Sequence, residues 1–424
     1  MRDNVLSVGQ KIYAIRKAKD MSQEVVADKM SYSRTIISNI ERDINHDQSM
    51  IIAVKAALGV QGMPLFEEER KAFLDRLFMW NDTISERNFE EAKQIKKELS
   101  QIRYLPFEQE FNDLYSLFDC RLMLGEQKFK SAAKILAELE TTIDKTNDTI
   151  MYWFYSNYGT LVFYNQQYQE ALEYYKKAFG LMKGGFEENV SLHYNIAHCL
   201  SNLGYYTNVV KFIDDSCNIN TGEQITLLDF AFANLLAINL IRWGYVKKAN
   251  KLLTKCLTKA QKDKNEYYIG TIYYNFGFLY NKDKNWETAL YYFDKAFDYL
   301  AKGSTIYLGN LYQKARCLVE INDRARCLPL IAEGKELAKD NELYMILFES
   351  LEPLMTLKDD SSLEYLETKV LPYLLSKALF SIELDYCEIL LEHYEKNNNH
   401  TKALKMAAIC HTIYKKINEH GVVE

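Results

Sequence analysis

The sequence predicts an all-α protein, with an N-terminal head of five short helices followed by a right-handed superhelix of about eight to nine helix pairs. Composition is the first reason: 48% of the 424 residues are hydrophobic, yet only 17 are Gly and 5 Pro, which favours packed helices. The second is a small residue that recurs every 38 to 40 positions, always inside apolar spacing of helical period. The third is a pair of short helices before residue 43, the second of which has a polar face.

The repeat is clearest in Tyr273–Ala296. Phe276, Gly277 and Tyr280 mark one amphipathic helix, and Trp286, Ala289, Phe293 and Ala296 mark another, with Lys282–Asn285 as the turn. Gly277 and Ala289 stand where the two helices must approach closely. With Ala289 as marker, equivalent positions upstream are Ala249, Val209, Ala171, Ala132 and Ala92, and downstream Cys327 and Ala403, with a blurred unit near Tyr365. The order aromatic–Gly–x–x–Tyr followed by Ala–x–x–x–Phe resembles the tetratricopeptide unit, whose own period is about 34 residues. A single pair cannot bury its apolar face alone, so the resemblance implies a stacked array.

The head is read in order. Val8–Ala18 places Ile12 and Ile15 on one face, and Ser22 is the expected N-cap of a second helix carrying Val26, Ala27 and Met30 inward. A tight turn at Ser31-Tyr32 leads to Ser33, the expected cap of a third helix, Arg34–Arg42. Its Ile37 and Ile40 face the core, leaving Arg34, Thr35, Ser38 and Asn39 outward. Met50–Leu58 supplies further apolar residues and Gly59 closes the unit. Two helices joined by a short turn, the second presenting short polar side chains, form a helix-turn-helix arrangement.

SQEVVADKMSYSRTIISNIER resembles the repressor-type helix-turn-helix domain, and the match extends over nearly all of residues 8–60. Two residues depart from that pattern, Ser31 and Asp43, where the family usually has Gly. The resemblance implies that Gln23 lies beside a DNA phosphate with the free N–H groups of its helix end. It implies a reading surface of Ser33, Arg34, Thr35, Ser38 and Asn39, with Arg34 forking onto guanine and Asn39 onto adenine. Ile36 has two readings, a thymine-methyl contact or helix packing. Arg16 and Glu41 look like an interhelical ion pair with a structural role.

Gln61–Phe66 is the expected joint, giving a DNA-binding domain at 1–62 and a repeat domain at 63–424 for peptide binding and dimerisation. The helix after Glu67-Glu68-Glu69 is either the first repeat's front helix or a connector that also dimerises. Front helices line the inner wall of such a superhelix. Counting from the markers, inward candidates are Trp153, Ser156, Tyr194, His198, Asn234, Tyr274, Asn281, Tyr312 and Arg316, with Asn157, Asn195 and Asn275 beside them. Amides match an extended peptide's backbone donors and acceptors, rings make pockets, and Arg316 suits a carboxylate. Asn at 157, 195 and 275 also suits a purely structural role.

Charge is uneven. Residues 1–64 hold nine Lys and Arg against seven Asp and Glu, a surplus of two, so the rest of the chain carries eight of the opposite sign to reach −6. A slightly basic head on an acidic body fits a small nucleic-acid contact on a larger non-binding module. No run approaches the ~18 apolar residues of a membrane span. The N-terminus has no signal-peptide core. Eight scattered cysteines without a CxxC pair read as reduced thiols in a cytoplasmic protein. There is no phosphate-cradling Gly loop, no G-x-S-x-G and no metal-spaced His/Cys set, so the expectation is no enzyme, no cofactor and no metal.

A repressor-type head followed by tetratricopeptide-like repeats resembles the RRNPP group of peptide-pheromone receptors, most of all its NprR-like branch. That resemblance implies a cytoplasmic, homodimeric transcription regulator of quorum-sensing type, whose partners are a double-stranded DNA operator and a short linear signalling peptide. Its peptide residues would be Asn157, Asn195, His198, Asn234, Tyr274, Asn275, Tyr312 and Arg316. The alternative is a Rap-like interaction protein that regulates a partner protein, with DNA binding secondary. A phage-borne regulator of similar build is a third reading.

Overall fold

Helices supply every regular element among the described residues, which in this computed structural model are 6–45, 47–61, 64–100, 108–182, 189–216, 227–355, 360–377 and 379–419. Contacts divide the chain into two units, residues 1–161 with 176–182, and residues 162–175 with 183–424.

In the first unit, α1 (Val8–Ala18), α2 (Gln23–Met30), α3 (Arg34–Glu41) and α4 (Gln48–Ala57) enclose Ile12, Ile15, Val26, Ile37, Ile40, Ile51 and Val54, all buried. Ser22 caps α2 as expected, accepting from the Val25 N–H at 3.1 Å. Ser33 occupies the N-cap of α3 without a side-chain cap bond. Ser31 and Asp43, the two residues that replace the family's glycines, stand in the left-handed region at φ 58° and 54°. Asp43 adds two bonds there: its carboxylate accepts from the Gly9 N–H at 2.8 Å and from the Ser7 hydroxyl. Ile36 packs against the head core, which favours its structural reading.

A fifth helix, α5 (Glu67–Ser85), sends Phe73 against that core and also packs on α6 (Phe89–Leu99) and α7 (Gln109–Gly125), so it is the front helix of the first pair. Residues 62 and 63 of the expected joint lie outside the described residues, and the part from Pro64 to Phe66 is packed. Leu65 is 1% exposed, and its N–H donates to the Glu69 carboxylate at 2.8 Å. Lys11 donates to the Leu65 carbonyl at 3.2 Å, and Lys55 meets Glu69 at 2.9 Å. Arg70 joins Glu108 at 3.1 Å and Glu110 at 2.8 Å. Both lysines are buried, so these pairs tie the head to the first repeat.

The pairs continue through α8 (Phe129–Thr142), α9 (Asp148–Tyr164), α10 (Tyr168–Gly180), α11 (Val190–Asn202), α12 (Tyr206–Ser216), α13 (Leu227–Arg242) and α14 (Val246–Lys262). Next come α15 (Glu266–Lys282), α16 (Trp286–Phe297), α17 (Thr305–Glu320), α18 (Arg324–Leu337) and α19 (Glu342–Met355). A run follows in which α20 (Asp360–Tyr365) and α21 (Leu371–Ser376) flank a π turn, Leu366–Val370. This π turn sits where the sequence period blurs, near Tyr365. The last pair is α22 (Phe380–Lys396) and α23 (His400–Glu419).

Every marker is buried: Ala92, Ala132, Ala171, Val209, Ala249, Ala289 and Cys327 are 0% exposed and Ala403 is 7%. Five residues before each marker the backbone turns left-handed, at Arg87, Gln127, Gln166, Gly204, Gly244, Lys284, Asn322 and Asn398. At α15 the Asn285 N–H reaches the Tyr280 carbonyl at 2.9 Å and the Lys284 N–H the Asn281 carbonyl at 3.1 Å. Those are the paired bonds of a Schellman ending, which satisfies carbonyls that the helix leaves open. Asn285 then caps α16, accepting from the Thr288 N–H at 3.3 Å. In the second unit, Ala249, Leu253, Cys256, Ile272, Phe276 and Leu279 form one of the buried cores.

Candidate functional sites

The head presents a polar surface built outward from a buried charge pair. Arg16 Nε and Nη2 donate to the two oxygens of Glu41 at 2.5 and 3.0 Å, with both side chains nearly sequestered. The hydrogen bond that Arg16 donates to Glu41, together with the Glu41 charge, outweighs burial and raises the already high Arg16 pKa. Gln23 extends this network: its amide N donates to Glu41 at 2.7 Å, and its amide O accepts from Arg34 Nε at 3.3 Å. Arg34 also stands 3.9 Å from Glu24, and both of these side chains are exposed, so that pair contributes little. Of the six expected DNA residues, Ser33, Arg34 and Thr35 are exposed, while Gln23, Ser38 and Asn39 are half-buried. Asn39 accepts from Arg42 at 2.9 Å. The surface therefore offers a guanidinium and short polar groups at the start of α3, where a helix entering a major groove reads bases.

The expected peptide residues fall into two sets. Asn157 lies in the first unit, 2% exposed, with its amide donating to the Leu117 carbonyl at 2.7 Å. Asn275 in the second unit is 1% exposed and donates to the Asn234 side chain at 2.5 Å. Asn310 repeats the theme, donating to the Phe293 carbonyl at 2.9 Å. These amides staple neighbouring helices, which is the structural role their spacing allowed. Asn195 and Asn234 are half-buried.

The remaining residues gather in a phenol-rich interior of the second unit. His198 packs on Phe163 (4.8 Å between ring centroids) and Tyr194 (5.5 Å), and Tyr194 on Phe232 (5.6 Å). Burial, with the nearby Arg242 charge, pushes the His198 pKa down to about 4, so the ring is neutral at physiological pH. Tyr312 and Tyr386 share a hydroxyl hydrogen bond at 2.9 Å, and Tyr386 also bonds Ser350. Arg316 lies over the Tyr386 ring at 5.8 Å and 3.6 Å from Glu320. Burial works against its charge, but Tyr312, Tyr386 and Asp385 more than offset this, and its pKa is raised. A Cβ on Gly309 would lie 2.9 Å from the Tyr344 hydroxyl and 3.5 Å from that of Tyr274, so two phenols converge on this glycine. Burial raises the pKa of both, and Tyr344 also feels Tyr168 and Tyr312.

Arg242, Tyr168 and Tyr344, like Tyr386, belong to this interior and escaped the sequence reading. Arg242 faces Tyr168, His198 and Tyr274 from α13; Tyr168 comes from a rear helix, and Tyr344 from the unit where the period blurs. Most inward candidates stand 15 residues before a marker, and His198 and Arg316 stand 11 before theirs; one further helical turn along that stripe, seven before Ala249, leads to Arg242. Among the described residues no group of His, Cys, Asp and Glu is arranged to hold a metal ion, and no helix is long and apolar enough to cross a membrane.

Comparison with known proteins gives the same two-part picture. The helix-turn-helix family profile matches residues 12–62. The transcriptional activator NprA of Geobacillus stearothermophilus is 23% identical over 381 residues, covering 83% of this chain and 90% of NprA. Among solved structures, a Rap protein complexed with competence and sporulation factor superposes with TM-score 0.72 at 18% identity, covering 82% of this chain and 99% of that one. NprR in complex with its cognate peptide NprX superposes with TM-score 0.65 at 16% identity, covering 81% and 99%. At these identities the structural likeness establishes a shared helical-repeat fold.

Proposed function

We propose, on the premise that the chain belongs to the RRNPP group of peptide-sensing regulators, that it is a transcription regulator controlled by a short signalling peptide bound in its repeats. The observation that carries this reading is one chain holding both parts: an exposed, Arg34-bearing helix in a helix-turn-helix head, and a body folded like peptide-bound Rap and NprR. In this reading residues 1–62 bind the operator, 63–424 bind peptide and dimerise, and the protein works in the cytoplasm as a homodimer without enzymatic chemistry. Gln23, Ser33, Arg34, Thr35, Ser38 and Asn39 face DNA. Asn195, His198, Asn234, Tyr274, Tyr312 and Arg316 face peptide, with Asn157 and Asn275 setting helix spacing beside them. Peptide that binds one repeat conformation better than another shifts the population, and with it the spacing of two heads on a two-fold-related operator.

Arg34→Ala and Asn39→Ala test the reading surface. Each should weaken operator binding by about 1–3 kcal/mol while peptide affinity stays unchanged. Normal footprints from both variants would show that α3 is not the reading helix.

A second reading, control of a partner protein by the repeats, is favoured by the higher TM-score with Rap than with NprR. Removing the head would uncover Leu65 and Phe73, which pack with its core, so the suitable bait is the full chain carrying Arg34→Ala and Asn39→Ala. A stable protein partner, with no peptide and no operator binding by the parent chain, would select this reading.

A further inference from the structure

We infer that Arg242 is an anion anchor for the peptide, so that the ligand carries a carboxylate read at this position. The inference rests on the peptide-binding reading above and names the chemistry of its ligand.

Arg242 is the last residue of α13 and half-buried. Its Nη1 donates to the Ser201 carbonyl at 3.0 Å, and its guanidinium lies over the Tyr206 ring at 5.6 Å. Neither partner carries a negative charge, and among the described residues no carboxylate lies within ion-pair distance of it. Two other cations of this unit have counter-ions: Arg316 has Glu320 at 3.6 Å, and Lys282 has Asp385 at 3.0 Å. Tyr168, His198 and Tyr274, two phenols and a neutral imidazole, lie near Arg242 from neighbouring helices, and none of them brings a negative charge. Withdrawing a cation from water is costly unless it is paired. A carboxylate arriving with a ligand would supply the missing partner, in the two-pronged geometry a guanidinium favours. The flanking rings would take apolar or aromatic side chains beside it. A basic ligand would meet repulsion from Arg242 and from Arg316 alike.

Both an Asp or Glu side chain and a free C-terminus offer this carboxylate. The test uses the immobilised full chain and two random hexapeptide pools, one ending in the free acid and one in the amide, with captured peptides sequenced by mass spectrometry. The wild-type chain should enrich acidic over basic peptides. An acidic bias that persists in the amide pool assigns a side chain, and preferential capture of free-acid over amide peptides assigns the terminus. Arg242→Gln should reduce capture of the favoured peptides about ten- to a hundredfold, the scale of a lost charge-assisted bond, while peptides without that carboxylate are retained. Arg242→Lys, which keeps the charge, should restore part of the preference. A wild-type chain that captures peptides with neither an acidic bias nor a preference for the free acid over the amide overturns the inference and leaves the peptide reading standing, as does an equal preference in wild type and Arg242→Gln. Capture of no peptide from either pool overturns both.

Discussion

Glu41→Gln isolates the charge at the centre of the head. The substitution keeps the shape of Glu41 and its reach toward Arg16 and Gln23, but leaves the Arg16 guanidinium, 6% exposed, without its counter-ion. Removing one partner from a buried pair costs about 3–5 kcal/mol, mainly because the surviving charge stays out of water. Expressed as local opening, that is roughly 150- to 5,000-fold faster amide exchange in peptides covering residues 8–42. Hydrogen–deuterium exchange of the full chain measures it, with the second unit as internal control. The difference should be flat from pH 6 to 9. Arg16 has a raised pKa, so its contribution is complete below the ordinary guanidinium range and is lost only as pH climbs through the still higher folded value. Replacing both partners, Arg16→Met with Glu41→Leu, should recover most of the loss, since no charge is stranded. An exchange change below about fivefold (~1 kcal/mol) for Glu41→Gln, or a double variant as unstable as the single one, would refute the reasoning.

The remaining predictions concern the repeats. Gly277→Ala should cost about 1–3 kcal/mol in chemical denaturation, because its Cβ would overlap the edge of the fully buried Phe293 ring. An unchanged midpoint would show that α15 and α16 are not packed as described. Gly244→Ala, at φ +87°, should lose about 1 kcal/mol, whereas Lys284→Gly, at φ 57° on an exposed turn, should lose nothing and can gain a similar amount. Losses of equal size in both would contradict the turn geometry. His198 has a folded pKa depressed to about 4, so the unfolded chain binds the extra proton between its ordinary 6.5 and that value. Stability should therefore fall as pH drops through this window, and thermal melts of His198→Gln should fall less steeply than wild type. Parallel melting curves would mean that the imidazole charges freely in the folded protein.

The repeat was legible because its signal is steric. Wherever two helices of a pair meet, only a small side chain fits, and Ala92, Ala132, Ala171, Ala249 and Ala289 announce themselves at a fixed period. The turns were not legible. Arg87, Gln127, Gln166 and Lys284 adopt a backbone normally given to glycine, and nothing in an exposed Arg, Gln or Lys signals it. Likewise the asparagines were recognisable as a periodic set, but only the coordinates show the amide of Asn157 spent on Leu117 and that of Asn275 on Asn234.

The sequence by itself determined the all-helical class, the head motif and the register of the helix pairs, because each depends on spacing along one or two neighbouring helices, while the Arg16–Glu41 partnership followed from the head's resemblance to repressor-type domains. Only the tertiary structure decided that Gln23 links Glu41 to Arg34, that Lys11 and Lys55 fasten the head to the first repeat, and that Arg242 stands among phenols without a carboxylate. Those relations join residues from separate helices, at separations of 11 to 54 positions for the hydrogen bonds, where helical periodicity carries no information.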